Sequence, residues 1–105
     1  MYRVIGTETY EKEIDSLDTS EIKIAEKIPE KLAENPHIGK QLQYHFLREK
    51  RLREKRVYYL VYDDLKLVLL VATSGKKNQQ EVINFIKNNL SEFRKYAEIT
   101  SKQVF

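Results

Sequence analysis

Cysteine is absent from all 105 residues, which removes disulfide frameworks, zinc–thiolate centres, iron–sulfur clusters and thiol nucleophiles at once. Histidine is scarce: His37 and His45 are too few for an all-histidine metal site, and neither a metal nor a cofactor is expected. Long apolar runs are missing too. The longest, Leu67 to Ala72, spans six residues, where a bilayer crossing needs about 20. The opening Met1-Tyr2-Arg3-Val4 has no apolar core of a signal peptide, so no membrane association and a cytoplasmic location are expected. What remains is 41% hydrophobic and 33% charged, the composition of a well-charged globule with a real core. One domain over residues 1–105 is expected, with 97–105 as a loose tail.

The formal net charge is only +3, but it is unevenly spread. Residues 1–39 carry a net of −4 and residues 40–77 a net of +6. Lys40, Arg48, Lys50, Arg51, Arg53, Lys55 and Arg56 crowd into 17 positions, opposed only by Glu49 and Glu54. A field of that sign attracts polyanions whatever the overall charge. The competing reading is a solvated hairpin whose charges keep a sheet edge from aggregating.

Hydrophobic spacing predicts the order β-α-α-β-β-β-α, an α+β fold. Tyr2 to Thr7 reads as a strand. A helix capped by Thr9 carries Tyr10, Ile14 and Leu17 on one face, and a second, capped within the break Asp18-Thr19-Ser20, carries Ile22, Ala25, Ile28 and Leu32. Pro29 interrupts that second pattern, so the helix kinks or restarts there, and Asn35-Pro36 ends it. Leu42 to Leu52 and Lys55 to Tyr62 read as strands joined by a tight turn at Arg53-Glu54-Lys55. The apolar Leu67 to Thr73 reads as a central strand covered on both faces. A last helix begins near Asn78 or Gln79, with Val82, Ile83, Ile86, Leu90 and Phe93 in one stripe. The expected sheet is four-stranded and mainly antiparallel, with an N-terminal helical hairpin on one face and a C-terminal helix.

Strand alternation sorts the candidate residues. Arg56, Tyr58, Leu60 and Tyr62 share one side, and Val57, Tyr59 and Val61 share the helix-facing side. Arg51 alternates with Glu49 and Leu47, while Arg48 and Lys50 take the opposite phase. Arg51 and Arg56 flank the turn and can lie close across the hairpin, where two guanidinium groups repel unless they share an anion. An arginine beside a tyrosine suits phosphate and stacked bases.

Gly39-Lys40-Gln41-Leu42, Leu47-Arg48-Glu49-Lys50-Arg51-Leu52 and Lys55-Arg56-Val57-Tyr58-Tyr59-Leu60-Val61-Tyr62 together resemble the RelE/ParE superfamily of toxin–antitoxin toxins. That family shows a G-x-x-L element, an arginine on the second strand, R-[VL]-x-Y on the third, then an apolar strand and a basic loop. The resemblance covers roughly residues 2–90. It implies a ribosome-dependent messenger-RNA endoribonuclease that works without a metal: the substrate 2′-hydroxyl attacks its adjacent phosphate while basic residues stabilise the developing charge. It also implies a small antitoxin as partner, docking across Arg51–Arg56 and the last helix. Carried over by position, Arg56 and Lys77 stabilise phosphate and Arg51 orients the substrate. Arg48, Lys50, Arg53, Lys55, Lys76, Tyr58 and His45 complete the expected nucleic-acid-binding set. The chain departs from the pattern at Ile83, where many active members carry a tyrosine; Tyr58 or His45 are the candidates to replace it. Besides cleavage, a non-nucleolytic, ParE-like toxin or RNA-binding module and an inactive relic stand as alternatives.

Overall fold

The computed structural model describes residues 1–103 and orders them as β1 (Arg3–Gly6), α1 (Glu8–Asp15), α2 (Thr19–Ala25), α3 (Ile28–Glu34), β2 (Lys40–Gln41), β3 (Leu47–Leu52), β4 (Lys55–Tyr62), β5 (Leu67–Ser74), α4 (Gln79–Asn88) and α5 (Leu90–Ser101). The strands form one sheet in the order β1-β5-β4-β3-β2. β1 runs parallel to β5, and every other neighbour is antiparallel. The α+β class and mainly antiparallel sheet are as expected, with β2 as a fifth, two-residue strand. The expected Leu42–Leu52 strand is shortened to begin at Leu47: because β2 and β3 pair antiparallel, the chain must reverse over residues 42–46, where Leu42 N–H donates to Leu47 O and Leu47 N–H to Tyr44 O.

The helix starts follow local chemistry. Thr7, rather than Thr9, caps α1 by accepting from Tyr10 N–H, and Asp18, within the expected Asp18–Ser20 break, caps α2 in a reciprocal capping box with Glu21. Pro29 sits in the first turn of α3, where its missing N–H costs nothing, so the chain restarts there. Tyr10, Ala25, Ile28 and Leu32 from these helices pack on Val57, Tyr59, Val61, Val68 and Leu70, which confirms the helix-facing phase of β4.

The opposite face, with Tyr58, Leu60, Tyr62, Leu67 and Leu69, is covered by Ile86 of α4 and Ala97 of α5. The loose tail expected from residue 97 is corrected here: through Ser101 the chain is the end of α5, with Ala97 fully buried and Thr100 nearly so. Arg3 holds that end by donating to the Thr100 and Gln103 carbonyls. Val104 and Phe105 lie outside the described residues. No helix among the described residues is long and apolar enough to cross a membrane.

Candidate nucleic-acid interface

The β3–β4 hairpin closes through only Arg53 and Glu54, and this short connection sets its register. Arg51 stands opposite Arg56, and Glu49 opposite Tyr58. β2 pairs only with Arg48 and Glu49, so β3 is a free edge from Lys50 onward. A cleft of about 390 Å³ opens at this edge, lined by Ile38, Gly39, Lys40, Glu49, Lys50, Arg51, Arg56 and Gln79. Four cations face one carboxylate there.

Gly39 makes the cleft wall possible. Its N–H donates to the Tyr59 hydroxyl at 2.9 Å, and a Cβ would stand 2.6 Å from the Glu49 carbonyl oxygen. Only a residue without a side chain approaches β3 and β4 that closely.

Arg56 is buried, its Nε 4.0 Å from Glu49 Oε1 and its Nη1 donating to the Glu54 carbonyl at 3.3 Å. Arg51, by contrast, is exposed. The two expected arginines therefore meet in one cleft, one fixed and one free to move. Tyr58 lies beneath, fully buried, with its hydroxyl 2.8 Å from Ser74 Oγ. Desolvation, reinforced by the Glu49 charge, raises its pKa against the opposing effects of Ser74 and Arg56. The phenol therefore keeps its proton and is shielded from water.

Lys76 and Lys77 stand on the turn between β5 and α4, outside the cleft lining. That turn is bracketed by the site: Ser74 is in register with Arg56, and Gln79 lines the cleft. It is held by Gly75 N–H donating to Asn78 Oδ1 at 2.8 Å and by Gln79 Nε2 donating to the Lys76 carbonyl. A Cβ on Gly75 would stand 3.9 Å from Lys55 Nζ, so Lys55 reaches the same turn. Arg53, at the hairpin tip, is exposed.

Of the expected ligands of nucleic acid, Tyr58 is thus sealed beneath the cleft, and two more stand elsewhere. Arg48 is buried, and its guanidinium is used up internally: Nε donates to the His45 carbonyl at 3.0 Å, and Nη1 to the His37 and Gly39 carbonyls at 2.9 Å each. It is a clamp on the 37–45 segment, not a phosphate ligand. His45 stacks on His37 with ring centroids 4.9 Å apart and does not line the cleft. Ile83 packs against the second core cluster, as its side chain requires. Glu49 and Gln79 are the site residues that sequence reasoning passed over. Glu49 shares the alternation phase of Arg51 and was readable on that ground; only the fold brings Gln79 to the hairpin.

Neither a protein-family model nor a curated protein matches the chain. Solved structures do. The isolated Escherichia coli RelE toxin is 20% identical and superposes with a TM-score of 0.65, covering 84% of this chain and 98% of that one. A chain of the archaeal RelE–RelB complex from Pyrococcus horikoshii is also 20% identical, with a TM-score of 0.67 over 72% of this chain and 96% of that one. A chain of the Mycobacterium tuberculosis toxin–antitoxin complex RelBE2 is 19% identical, with a TM-score of 0.62 over 71% and 98%. The chain has the fold of the RelE toxins.

Proposed function

We propose that this protein is a RelE-like toxin of a type II toxin–antitoxin pair, and that it cuts messenger RNA on the ribosome from the Arg51–Arg56 cleft. The observation that carries the reading is the register pair Arg51↔Arg56 in a polar cleft on a RelE fold. A phosphate seated between two guanidinium groups relieves their repulsion, and the relief grows as charge builds on the phosphorane.

The reaction needs no resident cofactor. The ribose 2′-oxygen forms a bond to its own adjacent phosphorus and the bond from phosphorus to the 5′-oxygen breaks, leaving a 2′,3′-cyclic phosphate and a 5′-hydroxyl. Glu49 is the carboxylate in the cleft and accepts the 2′-hydroxyl proton. Arg56, locked by Glu49 and Glu54, holds the phosphate, and the exposed Arg51 closes on it. Lys76 and Lys77 contribute charge along the incoming strand. Ile83 offers no proton and Tyr58 is buried on Ser74, so water protonates the leaving 5′-oxygen. That absence also favours a second reading, a non-nucleolytic toxin that binds its target with the same basic surface.

The antitoxin follows from the same fold: the archaeal and mycobacterial neighbours are toxin–antitoxin complexes. Anchors for such a partner are exposed on α4 and α5, at Phe85, Tyr96 and Ile99. Leu60, on the same face of β4 as Arg56, is fully buried and contributes none.

The test is induction in a permissive host beside Arg51→Ala and Glu49→Gln, with 5′ ends mapped by primer extension. New cuts inside codons are expected, reduced about 10²–10³-fold by Arg51→Ala. Cuts that persist unchanged in Arg51→Ala would remove the cleft from the mechanism. Growth arrest without cuts would establish the non-nucleolytic reading instead.

A further inference from the structure

We infer that His37, His45 and Asp63 form a binding site for a divalent transition metal, zinc in the first instance, on the back of the cleft wall. This stands apart from the cleavage chemistry and does not depend on it. The three residues come from three separate segments: the loop after α3, the reversal before β3, and the β4–β5 turn. One candidate ligand atom from each lies within 4.8 Å of the others. Two imidazoles and a carboxylate are a donor set suited to zinc and its neighbours, and less to magnesium or calcium, which prefer oxygen.

The geometry carries the argument. Among the described residues, His37 Nε2 is shut off from solvent and has no hydrogen-bond partner. It lies 3.6 Å from Asp63 Oδ1, too far for a hydrogen bond. That separation is close to the ~3.3 Å edge of a tetrahedron whose metal–ligand bonds are about 2.0–2.1 Å. A buried ring nitrogen with no hydrogen-bond partner, at that spacing from a carboxylate, is satisfied by a cation between them when it carries no proton.

The supporting groups are already in place. Tyr2 donates its hydroxyl to Asp63 Oδ1 at 2.6 Å and fixes the carboxylate. Arg48 ties the His37, Gly39 and His45 carbonyls together, so both histidines are positioned by one buried side chain. Such outer contacts are what orient ligands in metal sites. His45 Nδ1 lies 3.4 Å from Gln41 Oε1 and 3.1 Å from Arg48 Nη2. With Arg48 donating to Nδ1, the neutral ring carries its proton on Nε2; with Gln41 accepting from Nδ1–H, Nε2 is free. Metal binding through Nε2 selects the second tautomer and gives up one Arg48 contact. His45 and Asp63 are exposed, which leaves the remaining coordination position open to water.

The metal would join loop 37–45 to the β4–β5 turn. Ile38, Gly39 and Lys40, which follow His37 directly, line the cleft, so the site braces that wall.

The experiment uses the full chain without a polyhistidine tag. Cobalt(II) is titrated and its visible absorption followed, and Tm is measured against zinc concentration. One-to-one saturation, a tetrahedral cobalt spectrum and a Tm that rises with zinc are expected, with affinity lowered at least about tenfold by His45→Ala and by Asp63→Asn, and no competition from magnesium. Both substitutions are at exposed positions, and far-UV circular dichroism verifies that each variant is folded. Failure to saturate below about 1 mM, or equal affinity in both folded variants, would overturn the site and leave His37 and Asp63 as an ordinary ion pair.

Discussion

Arg48→Ala tests the assignment of a basic residue to architecture instead of ligand. The Arg48 guanidinium donates to three backbone carbonyls, of His37, Gly39 and His45, at 2.9–3.0 Å. Hydrogen bonds from a charged donor contribute about 1.5–3 kcal/mol each. The loop lies at the surface, so water will recover part of that once the side chain is removed. A net loss of about 2–4 kcal/mol is expected, equivalent to a fall in Tm of roughly 8–16 °C for a chain of this size. Arg48→Lys should recover little, because a single ammonium cannot reproduce the planar fork that spans three carbonyls. The assay is thermal and urea unfolding followed by circular dichroism, paired with RNA affinity measured across salt concentrations. Exposed Arg51 gives the mirror image: Arg51→Ala should leave stability within about 0.5 kcal/mol and flatten the salt dependence by about one phosphate contact. If Arg48→Ala changes stability by less than about 0.5 kcal/mol while RNA affinity falls, the clamp is wrong and Arg48 belongs to the binding surface.

Two further outcomes follow from the core and the hairpin. Burial pushes the Tyr62 phenol up to about 12, against a smaller opposing pull from Arg94, and also raises Tyr10, Tyr58 and Tyr59. The fold therefore favours the protonated phenols. Stability is intact below about pH 10 and is lost as pH climbs toward 12, by about 1.4 kcal/mol per pH unit for Tyr62 alone, because the unfolded chain releases that proton first. Absorbance at tyrosinate wavelengths should lag and then jump with unfolding, and a smooth titration near the ordinary value with the fold intact would refute the burial argument. At the hairpin tip Arg53 holds φ 56°, a conformation that disfavours side chains. Arg53→Gly should raise stability by about 0.5–1 kcal/mol in urea unfolding, and a decrease would mean that the arginine's own contacts outweigh its strain.

The fold was legible wherever one physical signal dominated. The six apolar residues from Leu67 to Ala72 demanded cover on both faces, and β5 has it, from α1–α3 on one side and α4–α5 on the other. Alternation along Lys55–Tyr62 separated the two cores because period two is a direct consequence of strand geometry. The signal failed where partners, rather than the segment itself, decide the structure. Lys40–Gln41 are two exposed polar residues that become a strand only by pairing with Arg48 and Glu49. The end of α5 offered too weak an apolar stripe to be seen, although Ala97 and Thr100 are buried once Arg3 caps their helix.

The site divides along the same line. Arg51 and Arg56 could be placed together because a two-residue turn leaves the register little freedom. Arg48 could not be told from them by residue type, since a guanidinium bound to phosphate and one bound to carbonyls have the same sequence signature. The distinction depends on Gly39, whose close approach to Tyr59 and Glu49 carries the 37–45 loop onto the sheet and presents three carbonyls to Arg48. That same approach brings Lys40 to the cleft on one side and sets His37 facing Asp63 on the other. A side chain at position 39 would lift the loop from both, so Gly39→Ala should damage the cleft and the histidine pair together, a coupling that neither group of residues reveals when read alone.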